Sequence, residues 1–376
     1  NHGLTKDKLA EFLGLSATFY RLPTEVELPA GVNKIKAVVQ YSFDQSLQDE
    51  MEGLFQAYQP DYGAFVAIDA RTGRVLSMIS YSRADRPNEN LALRATFPSA
   101  SVFKVVTAAA AIESKRYSGQ TVIPFNGANH TLYRGNVLKN QVTRWTRHAT
   151  MKEAFAKSIN TVFAKIGAFI VGPTEMRTYA DKFGFNRKIA ADFSIQEGRA
   201  KIPDDSWGIA EAASGYTREN TMSPLQGALI ASAIANDGVM MEPYLVNSVY
   251  DHEGASLYQA ESEVAGQTID PKTAAEIRGL MRETVVRGTS RHSFRGFFRG
   301  KGLADLDVGG KTGSLTGLDP KGKYDWFVGY ANSPEVGGRR IAFASLTIHE
   351  KLWRVKSSYL VRKAIENVFR APKKEK

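Results

Sequence analysis

Three short stretches of the chain combine residues that can present a nucleophile, move a proton and hold an anion. The first is Ser101-Val102-Phe103-Lys104. Residues three apart on a helix share a face, so the Ser101 hydroxyl and the Lys104 amine can meet. A helix is expected to start at Ser101, where free backbone N–H groups and the positive dipole end favour a developing oxyanion. Lys104 stands among Val102, Phe103, Val105 and Val106. An amine desolvated by such neighbours has a lowered pKa, and its neutral form can take the serine proton. The pattern is weak alone. Ser-x-x-Lys arises about once by chance in a chain of this length, and a surface helix start with a lysine stem lying along it fits as well.

The second stretch is Ser158-Ile159-Asn160, at the end of a helix opened by the capping box Thr150-Met151-Lys152-Glu153. There a hydroxyl can relay a proton, and an amide can bind a substrate carbonyl while steadying a lysine. Alone it is also a commonplace turn. The third is Lys311-Thr312-Gly313-Ser314, closing a strand-like run that begins at Asp307. A lysine and hydroxyls on an edge strand can hold a carboxylate by charge-assisted bonds. Gly313 lets a substrate backbone come close, and the Ser314 N–H is a natural second oxyanion donor. A phosphate loop is excluded, because its first glycine would fall on Asp305.

The elements that must position these groups are legible in outline. Strands are expected over 63–69 and 74–80, joined by the short loop Ala70-Arg71-Thr72-Gly73. The helix over 101–113 is apolar on every side and therefore belongs between two layers. Residues 117–245 read as mostly helical, with one helix opened by Ser223-Pro224 and stopped by Gly238. Strands return over 308–314, 324–330 and 340–349, and a last helix covers 357–369. Residues 1–60 read as an N-terminal linker with a short helix, Pro-containing extended chain and an amphipathic helix over 46–58. The expected fold class is α+β: an antiparallel sheet flanked by helices, with an all-helical subdomain over about 117–245 inside a domain spanning 61–372.

Composition narrows the context. The 376 residues carry a net charge of +10 and no cysteine, which excludes disulfides and thiolate chemistry and is compatible with an extracytoplasmic compartment. The basic residues are dispersed apart from the C-terminal tail and the stretch 287–301, and no nucleic-acid module accompanies them, so no nucleic-acid partner is expected. The six histidines have no metal-like spacing. No window approaches the roughly 18 apolar residues of a membrane span. The start at Asn1-His2-Gly3 reads as a processed export product whose anchor lies outside this sequence.

Ser-x-x-Lys, Ser-x-Asn and Lys-Thr-Gly occur in that order, and together they resemble the motif set of the penicillin-recognising serine enzymes. The segments Ala95-Thr96-Phe97-Pro98, Val286-Arg287-Gly288-Thr289 and Asp325-Trp326-Phe327-Val328-Gly329-Tyr330 are similar to the high-molecular-mass penicillin-binding proteins. The resemblance covers about residues 60–370. It implies the serine β-lactamase and penicillin-binding transpeptidase fold. It implies Ser101 as the acylated nucleophile, Lys104 as its base and Ser158 as a proton shuttle. Asn160 would bind the donor peptide, Lys311, Thr312 and Ser314 its terminal carboxylate, and the Ser101 and Ser314 N–H groups the oxyanion. Ser314 departs from the commoner threonine. The activity implied is D,D-transpeptidation of peptidoglycan stem peptides through a Ser101 acyl-enzyme, blocked by β-lactams, without metal or organic cofactor. The location implied is the periplasm or the outer face of the cytoplasmic membrane, with cell-wall synthesis proteins as partners.

Two other readings keep the same residues: a carboxypeptidase or β-lactamase passing the acyl group to water, and a receptor that binds without turnover. No Glu-x-x-Leu-Asn pattern supplies a hydrolytic base. Tyr330-Ala331-Asn332 resembles an element of some carboxypeptidases but follows the Lys-Thr-Gly strand, and reads as a strand end. Tyr133 and Trp145 are candidates for the cleft wall. The alternating Arg and Phe residues of 287–301 read either as a contact loop or as a mobile hairpin.

Overall fold

The computed structural model describes residues 4–30, 33–84 and 88–370, so the basic C-terminal tail lies outside the described residues. Its centre is a five-stranded antiparallel sheet in the order Asp307–Leu318, Lys321–Asn332, Arg340–His349, Tyr62–Asp69, Val75–Ser82. The sheet is buried on both faces because its central strands are largely apolar along their length, and the period of two sorts their side chains into two cores. On Arg340–His349, Ala342, Ala344, Leu346 and Ile348 enter one core, whereas Ile341 and Phe343 enter the other.

The first core is closed by Pro224–Ala235, a helix on which every residue is buried. It starts as the sequence suggests: the Ser223 Oγ accepts from the Gln226 N–H at 3.0 Å, and Pro224 occupies the first turn. The helix Lys104–Lys115 enters the same core, its first eight residues buried. The second core lies under two amphipathic helices. Gln45–Tyr58 contributes Leu47, Met51 and Phe55, and Ser357–Phe369 contributes Leu360, Val361, Ala364 and Ile365, the spacing of a single helical stripe.

Residues 1–60, read from sequence as a linker, make specific structure in their described part. Strands Glu25–Ala30 and Asn33–Tyr41 form a hairpin that joins Val246–Asp251 and Ser256–Gln259 in a second, four-stranded sheet. Leu9, Leu13 and Leu15 enter the first core. The helical middle also carries a short ladder, Val122–Phe125 with Arg147–Thr150. The stretch 287–301 is anchored to the domain through part of its side chains. Phe294 and Phe297 are buried in the second core, Phe294 against Phe327 with ring centroids 5.8 Å apart, and the Arg362 guanidinium binds the Ser293 and Arg295 carbonyls.

Candidate active site

The chain enters the site strained. Ala100 holds φ of 49°, a left-handed conformation that costs a non-glycine residue about 1–2 kcal/mol. It opens a 3₁₀ turn, Ala100–Phe103, and the α-helix proper begins only at Lys104. The sequence pattern predicts Ser101 on the first turn of one continuous α-helix; the tighter turn has a chemical consequence. In a 3₁₀ turn residues three apart eclipse one another, so Ser101 and Lys104 stack directly and Lys104 Nζ lies 2.7 Å from Ser101 Oγ.

Neighbouring elements lock this turn. The Trp326 indole N–H donates to the Pro98 carbonyl at 2.8 Å, and the Ser99 N–H donates to the Asn220 carbonyl. Gly215 closes against it from the other side: a Cβ there would stand 1.9 Å from the Ala100 carbonyl oxygen. Gly313 on the edge strand brings a second backbone close, where a Cβ would stand only 3.3 Å from the Ser99 oxygen and the Val102 nitrogen.

Lys104 is fully buried, and its amine has three neighbours: Ser101 Oγ, Asn160 Oδ1 at 2.5 Å and the Ser214 carbonyl at 2.6 Å. The helix Ser206–Ser214 presents that carbonyl with its last turn, and the Ala213 carbonyl beside it accepts from Thr107. Asn160 opens the next helix and is held at its other end too, its Nδ2 donating to the His130 carbonyl. Burial holds the Lys104 pKa well below the usual lysine range, and the positive charge of Lys311 lowers it further.

Ser158, at φ of 55°, sits in the turn after the helix Met151–Ala156. Its Oγ accepts from Lys311 Nζ at 3.0 Å. Lys311 differs from expectation in placement. It is wholly buried and does not reach the cleft surface, because Ser158 and the Thr312 carbonyl, at 2.9 Å, cover its amine. Burial pulls its pKa down to about 7.

A cavity of about 890 Å³ opens over these groups. Ser101, Ser158, Asn160, Thr312, Gly313 and Ser314 all contribute to its wall, so the three motifs converge on one space. The Thr289 and Thr312 hydroxyls are 2.5 Å apart. His130, Thr131, Tyr216, Thr217, Arg218 and Thr316 also line the cavity. No spacing rule ties the first five to the motifs; Thr316 alone follows from the strand period of two after Thr312 and Ser314. Tyr133 and Trp145, candidates for the wall, are 57% and 74% exposed and do not line it. Among the described residues no group of His, Asp or Glu is arranged to hold a metal ion.

The sequence matches the family model of the penicillin binding protein transpeptidase domain over residues 63–369. A similar curated sequence is the peptidoglycan D,D-transpeptidase PbpA of Mycolicibacterium smegmatis, 26% identical over 334 residues that cover 79% of this chain and 63% of that protein. The chain thus spans about three fifths of that relative's length. The fold is similar to the crystal structure of PBPA from Mycobacterium tuberculosis, with a TM-score of 0.74, 21% identity, and coverage of 94% of this chain and 90% of the other. It is also similar to a penicillin G acyl-enzyme complex of penicillin-binding protein A from the same organism, at TM-score 0.68 and 24% identity, covering 88% and 80%.

Proposed function

Because the chain belongs to the penicillin-binding protein transpeptidase domain family, we propose that it is a serine D,D-transpeptidase that cross-links peptidoglycan stem peptides. One observation carries the reading: the environment of the Lys104 amine. Two of its three neighbours, Asn160 Oδ1 and the Ser214 carbonyl, can only accept hydrogen bonds. A neutral amine has two N–H groups for these two acceptors, and its lone pair then faces the third neighbour, Ser101 Oγ. Burial favours the same neutral form. The site therefore matches a base waiting for the serine proton.

In this mechanism the Ser101 proton moves to Lys104 Nζ as Oγ bonds to the carbonyl carbon of the penultimate D-Ala. The Ser101 and Ser314 N–H groups hold the oxyanion. Collapse of the tetrahedral adduct breaks the C–N bond to the terminal D-Ala, whose amine receives a proton through Ser158. An acceptor amine on a second stem peptide then attacks the Ser101 ester and gives its proton to the same relay; the bond between the acyl carbon and Ser101 Oγ breaks, Oγ takes the proton back from Lys104, and the cross-linked amide is released. Thr312 and Ser314 hold the donor's carboxylate by their hydroxyls. Charged Lys311 acts on that carboxylate through Ser158, since its amine has no exposed surface.

Water as acceptor is the competing outcome. The cavity wall offers one carboxylate, Asp325, whose Oδ2 accepts from the Ser357 N–H and so caps the C-terminal helix; a free hydrolytic base is not supplied. The reading puts the reaction outside the cytoplasm, where peptidoglycan is cross-linked, with cell-wall synthesis proteins as neighbours.

Intact-protein mass spectrometry after benzylpenicillin treatment tests it. The wild type is expected to gain one stable penicillin mass and Ser101→Ala none, while stem-peptide donors release D-Ala faster when an amine acceptor is added. Intact drug without an adduct, or drug hydrolysed at many turnovers per enzyme, defeats the proposal.

A further inference from the structure

The direction of the hydrogen-bonding groups on the edge strand can be read from one contact. Arg218 Nε donates to the Thr316 carbonyl at 2.9 Å. Along a β-strand each residue's N–H and C=O point to the same side, and the side alternates. The pairing of Asp307–Leu318 with Lys321–Asn332 has no register shift. With the Thr316 carbonyl turned out of the sheet toward Arg218, the N–H and C=O groups of Ser314 and Thr312 point outward too. The Thr312 carbonyl, which accepts from Lys311 Nζ, follows the same rule. The open edge facing the cavity is therefore Thr312, Ser314 and Thr316.

A donor with its scissile carbonyl on the Ser314 N–H and its terminal carboxylate toward Thr312 must continue toward Thr316. Two strand residues span roughly 7 Å, the reach to the side chain of the residue that precedes D-Ala-D-Ala. Arg218 stands there. It closes the edge with Nε, which fixes the plane of the guanidinium, and it lines the cavity. Among the described residues it has no anionic partner: the adjacent Glu219 lies toward Arg199 and Lys201 instead. A held guanidinium with its remaining N–H groups unpaired is shaped for a carboxylate.

We infer that Arg218 forms a carboxylate-binding subsite that selects donors carrying an acidic side chain on the residue before D-Ala-D-Ala. The inference rests on the transpeptidase reading. The acyl side chain of a penicillin occupies the same direction from the reacting carbonyl, so three penicillins serve as probes. Carboxybenzylpenicillin carries a carboxylate there, benzylpenicillin no charge and aminobenzylpenicillin an ammonium.

Acylation rates of Ser101 are measured for the three in wild type, Arg218→Gln and Arg218→Glu. Relative to benzylpenicillin, the carboxylate probe is expected to react about threefold to fivefold faster in wild type than in Arg218→Gln, the scale of an exposed charged pair. Arg218→Glu should invert the order in favour of the ammonium. Donor peptides with Glu, Gln or Lys directly before D-Ala-D-Ala, or one residue earlier, locate the recognised carboxylate. Selection only at the earlier position overturns the assignment. An equal loss for all three penicillins in Arg218→Gln would show that the residue merely clamps Thr316, and would also overturn it. Absence of any Ser101 adduct, with every probe, defeats the transpeptidase reading together with this one; an adduct without charge selection defeats this one alone.

Discussion

The site contains two lysines of equal burial set in different surroundings. On the helical side, Lys104 meets two obligate acceptors and a hydroxyl. On the sheet side, Lys311 meets one hydroxyl and one carbonyl, with the Phe155 ring 5.5 Å from its amine. In the proposed mechanism two obligate acceptors take the two N–H groups of a neutral amine and leave its lone pair aimed at the one neighbour able to donate, Ser101. Two acceptors around an ammonium hold it behind Ser158, and through that hydroxyl an incoming carboxylate can use the charge. The pKa directions are shared but their causes differ: burial lowers both, and Lys104 also feels Lys311 as a positive neighbour. Burial alone does not assign a role to a lysine; the partners of its nitrogen do.

Substitution should separate the two most strongly. Lys104→Arg keeps a cation and loses the base, because a guanidinium is not deprotonated in this pH range. We expect acylation by benzylpenicillin to fall about 10³-fold, the usual weight of general base catalysis. Lys311→Arg keeps the positive charge and should lose roughly tenfold or less, through changed geometry. Rapid-quench acylation kinetics decide the matter. Equal losses in the two variants would break the comparison.

The pH profile of acylation should show the same division with a smaller amplitude. At low pH Lys104 is protonated and the rate is low; it climbs as that proton is lost. Above about 7 the free enzyme loses the Lys311 charge, and the second-order rate constant for a carboxylate-bearing penicillin should decline by about tenfold. Such constants report the ionisations of the free enzyme. The alkaline decline should vanish in Lys311→Arg and with a penicillin whose ring carboxylate is esterified. A decline that persists in both would reassign it to another group.

What sequence reveals and what it hides divide along a similar line. The three motifs are local, and their residues meet because each is carried by an element with a strong pattern of its own: the apolar helix after Ser101, the capped helix before Ser158, the Gly-rich strand with Lys311. The C-terminal helix over 357–369 and the strand over 340–349 stand where the periodicity puts them. Long-range facts are not encoded in a period. Pairing of Asn33–Tyr41 with Val246–Asp251 joins segments some 200 residues apart, and nothing in residues 1–60 announces that partner. Lys311 being sealed behind Ser158, and Arg218 closing the edge at Thr316, depend on two elements meeting in space. The 3₁₀ turn at Ser101 is invisible for another reason. It follows from Ala100 being forced left-handed between Trp326, Asn220 and Gly215, and alanine has no propensity for that conformation.

The smallest expected effect concerns stability, and it runs against function. Lys311 has a folded pKa of about 7, below its unfolded value of 10.5. Between those values the unfolded chain binds more protons, so stability rises with pH across that window, and the full cost of burying the amine is present at pH 7 and below. Lys311→Met keeps the length of the stem and removes the ionisable nitrogen. Its loss leaves the Thr312 carbonyl on the open strand edge and the Ser158 hydroxyl at the cavity wall, both within reach of water, so no buried acceptor is orphaned. Removing a desolvated charge without creating an unsatisfied group should stabilise by a few kcal/mol at most, seen as a rise in Tm of roughly 2–4 °C at pH 7. The gain should shrink toward pH 10, while acylation stays impaired throughout. Lys104→Met offers the contrast, because it strips the donor from Asn160 Oδ1 and the buried Ser214 carbonyl, and its Tm should not rise. A melting temperature that falls in Lys311→Met would mean that the sheet-side amine holds Ser158 and the edge strand together, and that its neighbours are structural partners rather than a charge held ready for substrate.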